Sequence, residues 1–162
     1  IALDSKGPII FKQQRCGLNG KYFTIFKFRT MYVESEERYP VVTSKHNPCV
    51  THAGRFLRAT HLDEIPQFWN VIIGDMSMVG PRPLSVASAT LRTCEVPAYM
   101  ERLKCIPGIT GLEQIKGRAW GQRHGTKNIH RLNMFYLKHQ SFCFDMYIFV
   151  RTPFAMLKRS GM

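Results

Sequence analysis

Two β-branched and aromatic runs, "GPIIFKQQRC" and "KYFTIFKFRTM", flank Asn19-Gly20 near the start of the chain. Alternating apolar and polar positions around Asn-Gly predict a β-hairpin, with strands carrying Lys12, Arg15, Lys27 and Arg29. The following stretch, "YVESEERYPVVTSKHNPCVTHAG", is polar and interrupted by proline, which predicts a short acidic helix and then a loop. From Gly54 the pattern becomes helical. Phe56, Leu57, Leu62 and Ile65 recur on one apolar face, and Arg55 and Arg58, three residues apart, project as neighbours. Pro66 suits the start of a second helix and Gly74 its end. After "GPRP" the pattern predicts a helix over Ser85 to Cys105, then the turn "PGITG", then "LEQIKGRAWG" and an aromatic tail from Ile129.

The tail segment "SFCFDMYIFVRTPFAML" is nearly apolar enough for a lipid environment, but Asp145, Arg151 and Pro153 break it, so it reads as a core or interfacial helix rather than a span. No signal peptide, repeat or low-complexity tract is present. Together these elements predict one α+β domain, rich in helix, with an N-terminal β-hairpin.

The length of 162 residues suits one domain, and 44% hydrophobic content is ample for its core. Charge narrows the partners. Lys and Arg number 23 against 11 Asp and Glu, a formal +12, so the partners expected are anionic: a phosphorylated small molecule, a membrane surface or nucleic acid. No recognised nucleic-acid motif accompanies the charge, which places a basic nucleic-acid-binding module last among these. The five cysteines are odd in number and lack any CxxC spacing, and the six histidines supply no zinc pattern. They read as reduced thiols and filler. Trp69 and Trp120 read as core or half-buried anchors, and Gly108 and Gly111 as serving backbone geometry.

The chemistry concentrates in "RATHLDEIPQFWNVIIGDMSMVGPRP", Arg58 to Pro83. Adjacent side chains diverge on a regular backbone, so Asp63 and Glu64 cannot share a proton as a facing dyad does. They stabilise a helix N-terminus, or they divide labour as nucleophile or base and magnesium ligand. Pro81 and Pro83 stiffen the backbone on either side of Arg82 and present its guanidinium either as a surface group or as a rigid fork for phosphate. Lys27, Arg29, Arg55 and Arg58 add positive charge that could converge on the same site. Asp75 either caps the following turn or supports the site from behind. Carboxylates for a metal and a nucleophile beside arginines for phosphate fit phosphoryl transfer.

At these residues the sequence resembles the bacterial sugar transferases, the monotopic phosphoglycosyl transferases that act as polyprenyl-phosphate hexose-1-phosphate transferases. The likeness runs in order through "DSKGPIIFKQQRCGLNGKYFTIFKFRTM", "GRFLRATHLDEIPQFWNVIIGDMSMVGPRP", "PGITGLEQIKGR" and "FCFDMYIFVRT". It implies transfer of a sugar 1-phosphate from a UDP-sugar donor to the acceptor undecaprenyl phosphate, with release of UMP, as the first step of exopolysaccharide or glycoconjugate assembly. It implies Asp63 as the nucleophile of a covalent phosphosugar intermediate, Glu64 assisting with Mg2+ or protons, both carboxylates as candidate metal ligands, and Arg82, Arg55, Arg58 and Arg118 as phosphate ligands. It also implies a location on the cytoplasmic face of the bacterial inner membrane, which the apolar tail and positive charge suit.

Residue 1 falls about where the family's membrane-inserted N-terminal helix ends, so residues 1–162 read as the catalytic domain without that segment. Asn47, Cys49, His61 and Asn133 depart from the residues usual in the family. The alternative reading they leave open is a degenerate relative that binds ligand or membrane without turnover.

Overall fold

The structure, a computed structural model, describes residues 1–33, 48–116 and 118–160, with the backbone alone over 118–124 and 157–160. The hairpin forms as Asn19-Gly20 predicts. Strands β1 (Ile10–Cys16) and β2 (Tyr22–Phe28) pair antiparallel, from Ile10 opposite Phe28 to Cys16 opposite Tyr22. Asn19 (φ 52°) and Gly20 (φ 79°) supply the left-handed backbone of the reversal, which these two residue types adopt most readily.

Helix α1 (His52–Thr60) begins two residues before the expected Gly54. Its exposed donors at the N-terminus are met twice: Thr51 Oγ1 accepts from the Gly54 amide at 3.0 Å, and Asp4 Oδ2 accepts from the Ala53 amide at 2.9 Å. A single 3-10 turn (Leu62–Glu64) leads to α2 (Gln67–Ile72), with Pro66 just before it and Gly74 (φ 86°) just after. The apolar residues expected to share a face do not enter the core. Phe56, Leu62 and Ile65 are exposed, and so is Trp69, in contrast to the core or half-buried anchor expected of it.

Strand β3 (Ser77–Val79) leads into the "GPRP" segment and β4 (Leu84–Ser85), which joins β1 to give the sheet order β2-β1-β4. The helix expected over Ser85 to Cys105 divides. Helix α3 (Val86–Glu95) stops at Val96 (φ −140°, ψ 98°), and a 3-10 helix (Pro97–Lys104) follows. Pro97 is the cause, because a residue preceding proline is pushed out of helical geometry and proline cannot donate back. Strand β5 (Gly108–Thr110) pairs parallel with β3, Ser77 opposite Gly108 and Val79 opposite Thr110. The backbones of Gly108 and Gly111 pack closely on Gly80, as their expected geometric role requires.

Helices α4 (Leu112–Lys116), α5 (Arg118–His139, kinked at Gly125) and α6 (Phe142–Ser160) complete the α+β architecture. Buried Val79, Cys105, Tyr136 and Ile148 tie β3 to the long helices, while Phe23, Ile25 and Met76 fix the hairpin to the segment after α2. The tail helix α6 is a half-core element. Ile148 is fully buried, whereas Phe142, Phe149 and Phe154 stand exposed. Among the described residues no helix is long and apolar enough to cross a membrane. The predicted acidic helix after Tyr32, Asn47 and the side chains of Arg118 and Trp120 lie outside the described residues.

Candidate active site

The site is built by two returns of the chain onto the end of β2. In the first, α1 crosses Thr30 so closely that a Cβ on Gly54 would strike the Thr30 carbonyl, and Arg58 Nε donates to Thr30 Oγ1 at 2.8 Å. Helix α1 then ends at His61, a non-glycine residue in left-handed conformation (φ 58°). That conformation is costly for a residue with a Cβ, of order 1–3 kcal/mol. It reverses the chain at once into the turn bearing Asp63 and Glu64.

The second return is "GPRP". Its Gly80 amide donates to Thr110 O at 2.8 Å, and Pro81 O accepts the Gly108 amide at 3.0 Å, which pins the segment to β5. Arg82 is thereby brought to Glu64.

One carboxylate oxygen receives two cations. Glu64 Oε1 accepts from Lys27 Nζ at 2.8 Å and from Arg82 Nη2 at 2.6 Å. Burial pushes the Glu64 carboxyl upward, but Arg82 and Lys27 outweigh it and hold Glu64 well below the ordinary carboxylate range. Arg82 is raised in turn, chiefly by Glu64. Burial, with Arg82 adding repulsion, brings Lys27 down to about 8 despite its bond to Glu64.

Asp63 differs from its neighbour. Burial and the Glu64 charge raise its pKa, while Lys27, Arg58 and His61 pull the other way without prevailing. Two adjacent carboxylates thus have opposite environments: Glu64 is a locked counter-ion, and Asp63 is a half-buried carboxylate near cations it does not clasp. Divergence of neighbouring side chains, the reason they cannot form a facing dyad, is what separates their roles.

Of the residues singled out from sequence, the fold brings Lys27, Asp63, Glu64 and Arg82 together, with Arg58 within electrostatic reach of Asp63. Arg55 is exposed on α1 and forms no ion pair among the described residues. Arg29 belongs elsewhere. Its buried guanidinium donates to Pro8 O at 2.6 Å, Ser5 Oγ at 2.7 Å and Ser5 O at 2.9 Å, so it fastens the N-terminal segment and is not brought to Glu64 and Arg82. Asp75 Oδ2 accepts from the Asn70 side-chain amide at 3.5 Å, just after α2.

Arg15 joins the site, although the sequence marked it only as a strand cation. Burial, then Arg82, lower its pKa to about 10, and the charge of Glu64 opposes them. A signal was available. In the hairpin register Arg15 faces Phe23, and Phe23, Ile25 and Lys27 share one face, so Arg15 and Lys27 had to lie on the same side. Arg102 and Asn70, both buried and both bonded to backbone of this region, carry no such signal.

The family described as "Bacterial sugar transferase" matches residues 1–159. The chain belongs to that family. Among its curated relatives, the UDP-glucose:undecaprenyl-phosphate glucose-1-phosphate transferase of Klebsiella pneumoniae is 40% identical over 160 residues, 95% of this chain and 34% of that protein. The protein of the same name from Caulobacter vibrioides is 37% identical over 163 residues, 97% of this chain and 60% of that one. An undecaprenyl-phosphate galactose phosphotransferase of Salmonella typhimurium is 36% identical over 170 residues, 96% of this chain and 34% of that protein. The chain spans about a third of the length of the first and the third of these sugar transferases.

Proposed function

We propose that this chain catalyses transfer of a sugar 1-phosphate from a UDP-sugar to undecaprenyl phosphate, with UMP as the leaving product. The observation that carries the reading is the contrast between Asp63 and Glu64: one carboxylate is locked by Lys27 and Arg82, and its neighbour stands beside the same cations unclasped. Asp63 attacks the phosphorus that bears the sugar, forming an acyl-phosphate bond as the phosphoanhydride bond to UMP breaks. An oxygen of undecaprenyl phosphate then attacks that phosphorus, the lipid takes the phosphosugar, and the Asp63 carboxylate is regenerated. Arg82 and Lys27, organised by Glu64, bind the diphosphate and offset the charge that develops on the leaving phosphate. Arg15 and Arg58 strengthen the positive field around it.

The family reaction implies a divalent cation. Among the described residues no three His, Cys, Asp or Glu side chains form a group that could hold one by themselves. That donor set still fits Mg2+, which binds through one or two carboxylates and completes its shell with substrate phosphates and water. Asp63 is the residue that would hold it, with the Glu64 oxygen that neither Lys27 nor Arg82 bonds as the second carboxylate donor; the cation would supply further neutralisation of phosphate charge.

A membrane-surface location, on the cytoplasmic leaflet of the bacterial inner membrane, belongs to the same reading. Helix α2 supports it by being inverted: Gln67 and Asn70 are buried, while Ile65, Phe68, Trp69 and Ile72, spaced at i, i+3, i+4 and i+7, are exposed. A stripe of this kind on a chain of formal charge +12 suits an anionic bilayer.

The test is UMP release from a panel of UDP-sugars with Mg2+ and undecaprenyl phosphate in mixed micelles. Release is expected, and Asp63→Asn is expected to reduce it about a thousandfold or more, as loss of a covalent nucleophile does. Native rates in Asp63→Asn would remove the covalent mechanism. UDP-sugar binding without any release would favour the degenerate-relative reading.

A further inference from the structure

We propose that Arg102 is a positioning residue for Arg82, acting through the backbone of the "GPRP" strut and anchored by Tyr99. The inference rests on Arg82 being a phosphate ligand. Arg102 is a buried cation, 2% exposed. A buried guanidinium costs free energy unless its N–H groups are paired, and the partners here are specific. Nη2 donates to the Arg82 carbonyl at 2.7 Å and approaches Glu113 Oε1 at 3.5 Å, while Nη1 donates to the Tyr99 hydroxyl at 2.6 Å. The guanidinium also lies over the Tyr99 ring, 5.1 Å from its centroid.

The neighbouring carbonyls are held as well. The Gly108 amide donates to Pro81 O at 3.0 Å, and Arg15 Nη1 donates to Pro83 O at 3.2 Å. Three consecutive carbonyls, those of Pro81, Arg82 and Pro83, are therefore each bonded by a group from a different element, and the two prolines fix φ on either side. The Arg82 peptide has little freedom left, so the direction in which its side chain leaves the backbone is set before any phosphate arrives. Preorganised donors of this kind bind and catalyse better than mobile ones. Lysine could not replace Arg102 here, because only a planar fork bonds Arg82 O and Tyr99 Oη together while stacking on the ring.

The test is a double-mutant cycle on affinity for UDP with Mg2+, by titration calorimetry, with thermal melting to verify the fold of each variant. Arg102→Lys is expected to weaken UDP binding about tenfold when Arg82 is present and less than about twofold in an Arg82→Ala background, since a misplaced ligand matters only while it exists. Tyr99→Phe, which keeps the ring and removes only the anchoring hydroxyl, should weaken binding in the same Arg82-dependent way by a smaller factor. If Arg102→Lys does not fold, Tyr99→Phe decides alone. Equal losses in both backgrounds, or native affinity in the folded variants, would overturn the positioning role. Native affinity in Arg82→Ala would instead overturn the phosphate role of Arg82 itself, a distinct result.

Discussion

Asn70 binds β2 as a neighbouring strand would: its Oδ1 accepts the Phe26 amide at 3.1 Å and its Nδ2 donates to the Thr24 carbonyl at 2.8 Å. Strand β2 is an edge strand in the order β2-β1-β4, so these backbone groups lack a ladder partner on that side. One fully buried side chain supplies both bonds. It also fixes the distance between α2, which follows Asp63 and Glu64, and Lys27, one residue beyond Phe26. Asn70→Ala strands a half-buried donor and a half-buried acceptor on β2, and the expected cost is about 1–3 kcal/mol. Urea unfolding checks this; an unchanged midpoint would show that water replaces the amide without loss.

Glu64→Gln should change the response to acid as well as the activity. The folded pKa of Glu64 lies below its ordinary 4.5, so its contribution to stability is complete above pH 4.5 and disappears as the pH falls towards the folded value. The variant lacks that dependence. The gap in unfolding free energy between wild type and variant should be about 1–3 kcal/mol at pH 7, less than the ~3–5 kcal/mol of a fully enclosed pair because Arg82 keeps 33% of its side chain in water. The gap should shrink steadily below pH 4.5. A constant gap across the acid range would mean that Glu64 acts by packing and not by charge.

Lys27 is expected to set the alkaline limit of the proposed activity. With its pKa lowered to about 8, the ammonium begins to lose its proton just above neutrality, and kcat/KM for the donor should fall above about pH 8. Unfolding does not explain that fall. Between pH 8 and the ordinary lysine value of 10.5 the unfolded chain holds more protons at this site than the folded one, so the contribution of Lys27 to stability rises with pH. Lys27→Arg, which stays charged, should retain measurable activity and move the limb to higher pH. An unmoved limb would assign it to another group.

The sequence disclosed features with local causes and missed those made by distant contact. Asn19-Gly20 dictates the hairpin because both residues accept left-handed backbone, and Pro66 and Gly74 bracket α2 for equally local reasons. Asp63, Glu64 and Arg82 stood out by type and neighbours. Arg29 looked equivalent to Lys27 because residue type does not say what a cation faces; only the fold shows one bonded to Pro8 and Ser5 and the other to Glu64. Trp69 read as an anchor because large aromatics usually bury themselves, and it is exposed because α2 turns its polar face inward to serve β2. Arg102 and Asn70 were silent because a buried polar side chain that bonds remote backbone leaves no periodic pattern.

That inverted helix yields the last prediction. Trp69 is 58% exposed and Ile72 73% exposed, on the stripe shared with Ile65 and Phe68. A tryptophan in this position prefers the bilayer interface, where its ring is apolar-solvated and its N–H stays wet. In a Trp120→Phe background, which leaves Trp69 as the sole indole, vesicles containing phosphatidylglycerol should shift the emission to the blue and protect it from aqueous iodide. Neutral vesicles should do so less, and added salt should weaken the effect, because the basic chain is drawn to the surface electrostatically before the stripe inserts. Phe68→Ser with Ile72→Ser should weaken vesicle binding about a hundredfold or more, since each buried apolar side chain is worth about 1.5–3 kcal/mol. Undiminished binding in that double variant would move the contact to α6, where Phe142, Phe149, Val150 and Phe154 are among the exposed apolar residues to substitute.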